Sequence, residues 1–311
     1  MDKVEITEVG PRDGLQIIPH IVPTDTKVAL IRALVASGFK RMELGSFVSP
    51  KAVPQMADTG EVTARLGPLP GVRGMALVPN SIGARRAIEA GITDLLFVIS
   101  MSNSHNRSNV RRPTEASIED LRTMLAEIDP DRKLTLRIGL ATTFHCPFEG
   151  VMDEGKVYAT MERIAAIRDG LEFSLSDTTG MAMPDHVKRF SRRCLEGFAG
   201  RATFCFHGHD TAGYGIANVL AAWEAGVRSF DGAVAGLGGC PFAPGATGNI
   251  ASEDLVTFFS RMGVETGIDI DQLLEAGKIA ASLKGAVTSG HARSIPRERL
   301  LGNGVPLQDA A

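Results

Sequence analysis

Val4-Glu5-Ile6-Thr7-Glu8-Val9, followed at once by Gly10-Pro11-Arg12-Asp13-Gly14-Leu15-Gln16, is the stretch on which the choice of fold turns. The first six residues read as a short β-strand. The turn after it is not the G-x-G-x-x-G that opens a doubly wound nucleotide-binding sheet. It carries two charged side chains instead. Working outward, further β-rich runs recur at 41–44, 74–78, 94–99, 134–141, 172–174, 203–207 and 229–234. Several are continuously apolar, as strands buried on both faces must be. Helical patterns lie between them, at 24–37, 82–90, 117–128, 156–168, 184–195, 216–225 and 251–262. In the first of these, Val28, Leu30, Ile31, Leu34 and Val35 fall at helical spacing, Thr24 is placed to cap the start and Gly38 to close the end. Pro184 suits a first-turn position. Eight strand–helix units over roughly 250 residues predict an α/β fold of the (β/α)8 barrel type. Residues 1–311 are read as one domain, with 269–311 a C-terminal extension carrying helical segments at 272–276 and 279–286.

The bulk numbers exclude several classes. A net charge of −3 leaves no basic surface of the size nucleic acid needs. No run of about 18 apolar residues is present, so no membrane-spanning helix is expected. The start of the chain lacks the pattern of a secretory signal. The four cysteines, Cys146, Cys194, Cys205 and Cys240, show no C-x-x-C spacing, and a reducing, cytoplasmic setting is the simpler reading.

In a (β/α)8 barrel the reactive groups sit at the C-terminal ends of the strands. There the sequence gathers Arg12 and Asp13, then Glu43 and Ser46, then Ser176-Asp177-Thr178, His207-Gly208-His209-Asp210, and a glycine-rich run from Gly236 to Asn249. Residues i and i+2 of a strand face one side, so His207 and His209 can meet one ion. Alone, such a pair is as often two hydrogen-bonded core histidines. Asp13 and Asn249 at other strand ends favour a metal. Two imidazoles with a carboxylate and an amide oxygen suit Mg²⁺ or Mn²⁺ better than a closed zinc site. Arg12 can be a loop arginine or a fixed guanidinium that steadies charge on a substrate oxygen. Glu43 either orients it or is structural. Cys240, among glycines and prolines, is a candidate general acid or base, with a phosphate cradle as the competing reading of that loop. His105 is a candidate substrate contact. Cys146 is expected near the site mouth, Cys194 in helix packing, and His186 on an exposed helix face.

Longer stretches carry a resemblance. They are Glu8 to Gln16, Gly45 to Lys51 with Val53 to Asp58, Leu77 to Asn80, Cys146-Pro147 with Glu149-Gly150, Asp177-Thr178, His207 to Asp210, and Val234 to Asn249. Together they make the chain resemble the 3-hydroxy-3-methylglutaryl-CoA lyase family, metal-dependent lyases on a barrel. The last stretch is specific to the lyase branch, because the related Claisen-type synthases lack the cysteine loop. The resemblance implies that Asp13, His207, His209 and Asn249 hold a divalent metal, Mg²⁺ or Mn²⁺. It implies that Arg12 stabilises an enolate and that Cys240 is a catalytic acid/base; Glu43 and Asp177, at strand ends beside them, are read as further catalytic candidates. The partner it implies is an acyl-CoA thioester, cleaved in a retro-Claisen reaction to acetyl-CoA and a ketone, acetoacetate in the parent enzyme. A Claisen-type synthase or aldolase on the same metal site is the alternative. A homodimer or larger homo-oligomer is expected. Two departures stand out: Ala52 where the family usually has Trp, and 102–109 in place of a lysine-bearing loop. They open the acyl group to a longer 3-hydroxy-3-alkylglutaryl-CoA or another 3-hydroxyacyl-CoA.

Overall fold

The computed structural model describes residues 2–238 and 248–300. All eight expected strands are present, and they close into a parallel barrel. In chain order they are β1 (Glu5–Glu8), β2 (Arg41–Ser46), β3 (Arg73–Leu77), β4 (Asp94–Ser100), β5 (Thr135–Ala141), β6 (Leu171–Asp177), β7 (Ala202–Gly208) and β8 (Ser229–Gly232). Each pairs with the next, and β8 returns to β1 with Thr7 opposite Asp231. The helices around it are α1 (Thr24–Ala36), α2 (Thr59–Leu66), α3 (Ser81–Glu89), α4 (Asn103–Val110), α5 (Thr114–Ile128), α6 (Glu154–Ala165), α7 (Pro184–Gly197), α8 (Gly215–Ala225), α9 (Ser252–Arg261) and α10 (Ile270–Ala281). None of the described helices is long and apolar enough to cross a membrane.

The apolar stripe of α1 is buried as the spacing predicts, through Val28, Leu30, Ile31 and Leu34. Gly38 ends it with a φ of 108°, a conformation that favours glycine. Pro184 opens α7 as expected. Thr24 does not cap α1. Pro23 holds the N-cap position, and the Thr24 hydroxyl donates to Asp58 Oδ2 across to the start of α2. Among the described residues the C-terminal extension has a short helical turn at Arg297–Leu300 and, where one or two helices were expected, a longer helix over Ile270–Ala281. Gly277 does not break it. A Cβ at this position would lie 2.5 Å from Glu253 Oε1, so glycine lets α10 lie close against α9. β8 ends earlier than expected, and the chain turns through Val234–Gly236, where Ala235 has a φ of 57°.

Barrel interiors are usually filled by layers of branched aliphatic side chains. Here the floor is ionic. Arg41 grips Asp94 with Nε and a terminal nitrogen at 2.9 and 3.0 Å, and it also reaches Glu172. Arg137 grips Glu172 at 2.8 and 2.9 Å and donates to Asp231 Oδ1 at 2.7 Å. All five side chains are buried. Charges this deep persist only when paired and hydrogen-bonded on every side. The lattice therefore fixes its members, and the functional site rests on top of it.

Candidate metal centre and active site

His207 lies in β7, and His209 follows the strand by one residue. Strand alternation turns both rings inward, and their Nε2 atoms approach to 3.4 Å. Asp13 arrives from the other end of the chain. The stretch after β1, read from the sequence as a turn, winds into a π-helical turn over Gly10–Gly14. This turn needs Gly14, since a Cβ there would sit 2.6 Å from Leu237 Cβ. One ligand atom from each of Asp13, His207 and His209 lies within 4.8 Å of the other two. Asn249 is bridged to His209 through the backbone. Its Nδ2 donates to Asp13 Oδ2 at 2.8 Å and to the Leu237 carbonyl at 3.0 Å. Its Oδ1 is buried and has no hydrogen-bond partner, and the same holds for His209 Nδ1.

The electrostatics suit a cation. Burial alone would raise the Asp13 carboxyl, but Arg12 and the two histidines outweigh it and hold the group below the usual carboxylate range. Burial, helped by neighbouring His207, pushes His209 down to about 4, so its ring is neutral and has a lone pair to offer. Burial would also lower His207, yet its bond to Asp231 and that residue's charge move it up. Five carboxylates (the half-buried Asp13 and the buried Glu43, Asp94, Glu172 and Asp231) face three buried guanidiniums (Arg12, Arg41 and Arg137) in this connected set. The set is therefore acidic, with more carboxylates than guanidiniums. The convergent donors, the orphaned amide oxygen and this imbalance all fit Mg²⁺ or Mn²⁺.

Arg12 is buried beside the ligands. Its Nε donates to Glu43 and one terminal nitrogen to Asp13 at 2.6 Å. Glu43 thus orients Arg12, one of the two readings the sequence left open. Burial opposes the charge on Arg12, but Glu43 and Asp13 more than offset it, and the guanidinium stays protonated. A guanidinium has five N–H donors, so three remain for a ligand.

A cavity of about 510 Å³ opens over these groups. Arg12, Asp13, Glu43, His207 and His209 line one end; Val48, Ser49, Ala52 and Asn80 line a second wall; His105, Asn109 and Arg112 line a third. The third wall belongs to α4 and the residues after it, which sequence periodicity missed. Ser102 caps α4 by accepting from the His105 backbone N–H at 3.2 Å. Glu149 Oε1 accepts from the Ser102 hydroxyl and the Ser104 N–H, and the Cys146 thiol donates to Ser102 Oγ at 2.9 Å. Cys146, expected near the site mouth, is buried outside the cavity lining and braces this helix. Ser100 Oγ holds His105 Nδ1 at 2.8 Å.

Other sequence candidates fall elsewhere. The Asp177 carboxylate turns away from the cavity and accepts the Met181 and Ala182 N–H groups, each at 3.1 Å. Burial raises it to about 6 against those bonds. It holds the loop after β6. His186 is half-buried rather than exposed, edge-on to Phe144 with ring centres 5.3 Å apart. Cys194 is buried in α7 as expected. Cys240 lies outside the described residues. Sequence reading passed over Asp231, Arg137, Glu172, Arg41 and Asp94. A charged residue inside an otherwise apolar strand was the available signal, since it demands a buried partner.

A family model described as HMGL-like matches residues 3–279. The chain belongs to the HMGL-like family. Among the relatives of this HMGL-like chain is the (R)-citramalyl-CoA lyase of Chloroflexus aurantiacus, 42% identical over 288 residues that cover 89% of each protein. The hydroxymethylglutaryl-CoA lyase of Bacillus subtilis is 38% identical over 280 residues, 89% of this chain and 91% of the relative. A solved HMG-CoA lyase from Acinetobacter baumannii, in complex with coenzyme A and 3-methylmalate, superposes with a TM-score of 0.88 at 39% identity, covering 100% of this chain and 98% of that one. The HMGL-like chain is thus a member of a lyase family on a (β/α)8 barrel.

Proposed function

We propose that this protein is a divalent-metal-dependent carbon–carbon lyase that cleaves a 3-hydroxyacyl-CoA thioester to acetyl-CoA and a ketone. The observation that carries this reading is the convergence of Asp13, His207, His209 and the unpartnered Asn249 Oδ1 beside the Arg12 guanidinium in one cavity. Mg²⁺ or Mn²⁺ held by these four residues would supply Lewis-acid chemistry, easing loss of the proton from the substrate's hydroxyl. As that proton passes to Cys240 acting as base, the C–C bond opens and its electron pair moves onto the thioester half as an enolate. Arg12, fixed by Glu43 and Asp13, presents its free N–H donors to the developing enolate oxygen. A proton must then reach the enolate carbon, and Cys240 is proposed to deliver it.

Two substrates compete, 3-hydroxy-3-methylglutaryl-CoA and citramalyl-CoA, giving acetoacetate and pyruvate respectively. The Chloroflexus relative and the small Ala52 in the cavity wall keep the second in play. Both are 3-hydroxy-3-methyl thioesters with a free carboxylate. In use, the chain is proposed to work as a homodimer or larger homo-oligomer. The test offers both CoA esters, with Mg²⁺ or Mn²⁺ and with EDTA, and measures release of acetyl-CoA. Metal-dependent release from either ester is expected, and Cys240→Ala should keep Mn²⁺ binding while losing turnover by roughly 10²- to 10⁴-fold. Undiminished cleavage in EDTA would overturn the metal role.

A further inference from the structure

Asp231 is a register partner of His207 on the neighbouring strand, so the two side chains enter the barrel side by side. Its Oδ2 lies 3.2 Å from His207 Nδ1. Its Oδ1 accepts from Arg137 at 2.7 Å and from the Cys205 thiol at 3.1 Å. Arg137 cannot turn away, because Glu172 grips it twice and Arg41 and Thr7 complete the surround. An ionised carboxylate only accepts hydrogen bonds. The partner at His207 Nδ1 must therefore be an N–H, so in the neutral ring it is Nε2, the atom facing His209, that carries the lone pair.

From this geometry we infer that Asp231, pinned by Arg137, is a positioning residue that fixes the His207 tautomer and ring orientation so that Nε2 stands ready as a ligand. The ionic floor of the barrel thereby sets the donor state of the site above it. This inference rests on the metal reading only for its consequence. The tautomer itself belongs to the protein alone.

Asp231→Asn tests it by forcing a choice. Arg137 has only donors to offer, so the amide oxygen must face Arg137 and the amide NH₂ must face His207. His207 Nδ1 then becomes an acceptor and its proton moves to Nε2. The readout is the ¹⁵N spectrum of metal-free, histidine-labelled protein at alkaline pH, with the His207 signal assigned by its loss in His207→Gln. Wild type should show the Nδ1–H tautomer and Asp231→Asn the Nε2–H tautomer. Mn²⁺ affinity, measured by calorimetry, should fall about 10- to 100-fold in the variant. An Nε2–H tautomer in wild type would overturn the inference even if the variant did not fold. An unchanged tautomer in a folded variant, or Mn²⁺ affinity within threefold of wild type, would do the same. If wild type shows the Nδ1–H tautomer but binds no Mn²⁺, the metal reading fails and the tautomer assignment stands.

Discussion

Asn249 donates Nδ2 to Asp13 Oδ2 at 2.8 Å while its own buried Oδ1 is left without a hydrogen-bond partner. The two residues are 236 positions apart in the chain, and they meet because β1 and β8 are neighbours where the barrel closes. A buried carbonyl oxygen with no donor costs roughly 1–3 kcal/mol. Such a cost is tolerated where a ligand removes it. Asn249→Ala should therefore weaken Mn²⁺ binding by about tenfold or more, the scale seen when a metal site loses a supporting group. Calorimetric titration checks this, and an unchanged affinity would remove Asn249 from the ligand set.

Glu43 accepts from Arg12 Nε, and we propose that it acts through Arg12 rather than on substrate. In Glu43→Gln the amide oxygen can still accept from Arg12 Nε, but the charge that holds the guanidinium is gone. We expect kcat to fall about 10- to 100-fold, as for other groups that orient a reactive side chain, with KM little changed. A variant whose KM rises while kcat holds would place Glu43 in binding instead.

Glu8 gives a prediction about pH. It is buried, accepts the Gly10 and Val234 N–H groups on one oxygen and the Ser252 hydroxyl on the other, and has no cation beside it. Burial, opposed by these three bonds, raises it from 4.5 to about 8. Because the folded value is the higher one, the unfolded chain gives up this proton first. Stability should thus fall as pH rises from about 4.5 to 8, by about 1.4 kcal/mol per pH unit from this group. Glu8→Gln removes the titration and keeps the bonds, its oxygen accepting both N–H groups and its nitrogen donating to Ser252. Denaturant unfolding across that range should show a flatter slope for the variant. Parallel curves would refute the assignment.

Ala52 lines the cavity. Ala52→Trp fills part of it, and should lower kcat/KM for longer 3-alkyl substituents by at least about tenfold relative to methyl, since one or more methylenes are then excluded. An unchanged ratio across a panel of acyl groups would show that this wall does not select substrate.

The barrel was legible because its strands are short apolar runs separated by periodic helices, and the four proposed ligands because polar residues collect at strand ends. Two of the elements that escaped, α4 and the π-helical turn, show no apolar stripe. Asn103–Val110 is nearly all polar, and its helix is fixed by the Ser102 cap and by Glu149 from a distant loop. The Gly10–Gly14 turn is set by packing against Leu237. Asp177 misled because position at a strand end does not say which face its side chain takes. Asp231 and Arg137 were visible as charges within strands, but their meaning depended on which strands the closure made neighbours.

The salt lattice beneath the site has a consequence for how this protein can change over time. Each guanidinium there serves two carboxylates, so no single member can be exchanged without stranding another. The metal end of the cavity is thus held by interlocking dependencies that isolated substitutions cannot cross. Ala52 on the cavity wall stands outside that lattice, and the short polar helix α4 is held by its own Ser102, Glu149 and Cys146 contacts rather than by shared guanidiniums. New substrates are reached by altering the walls, while the chemistry at the floor is inherited unchanged.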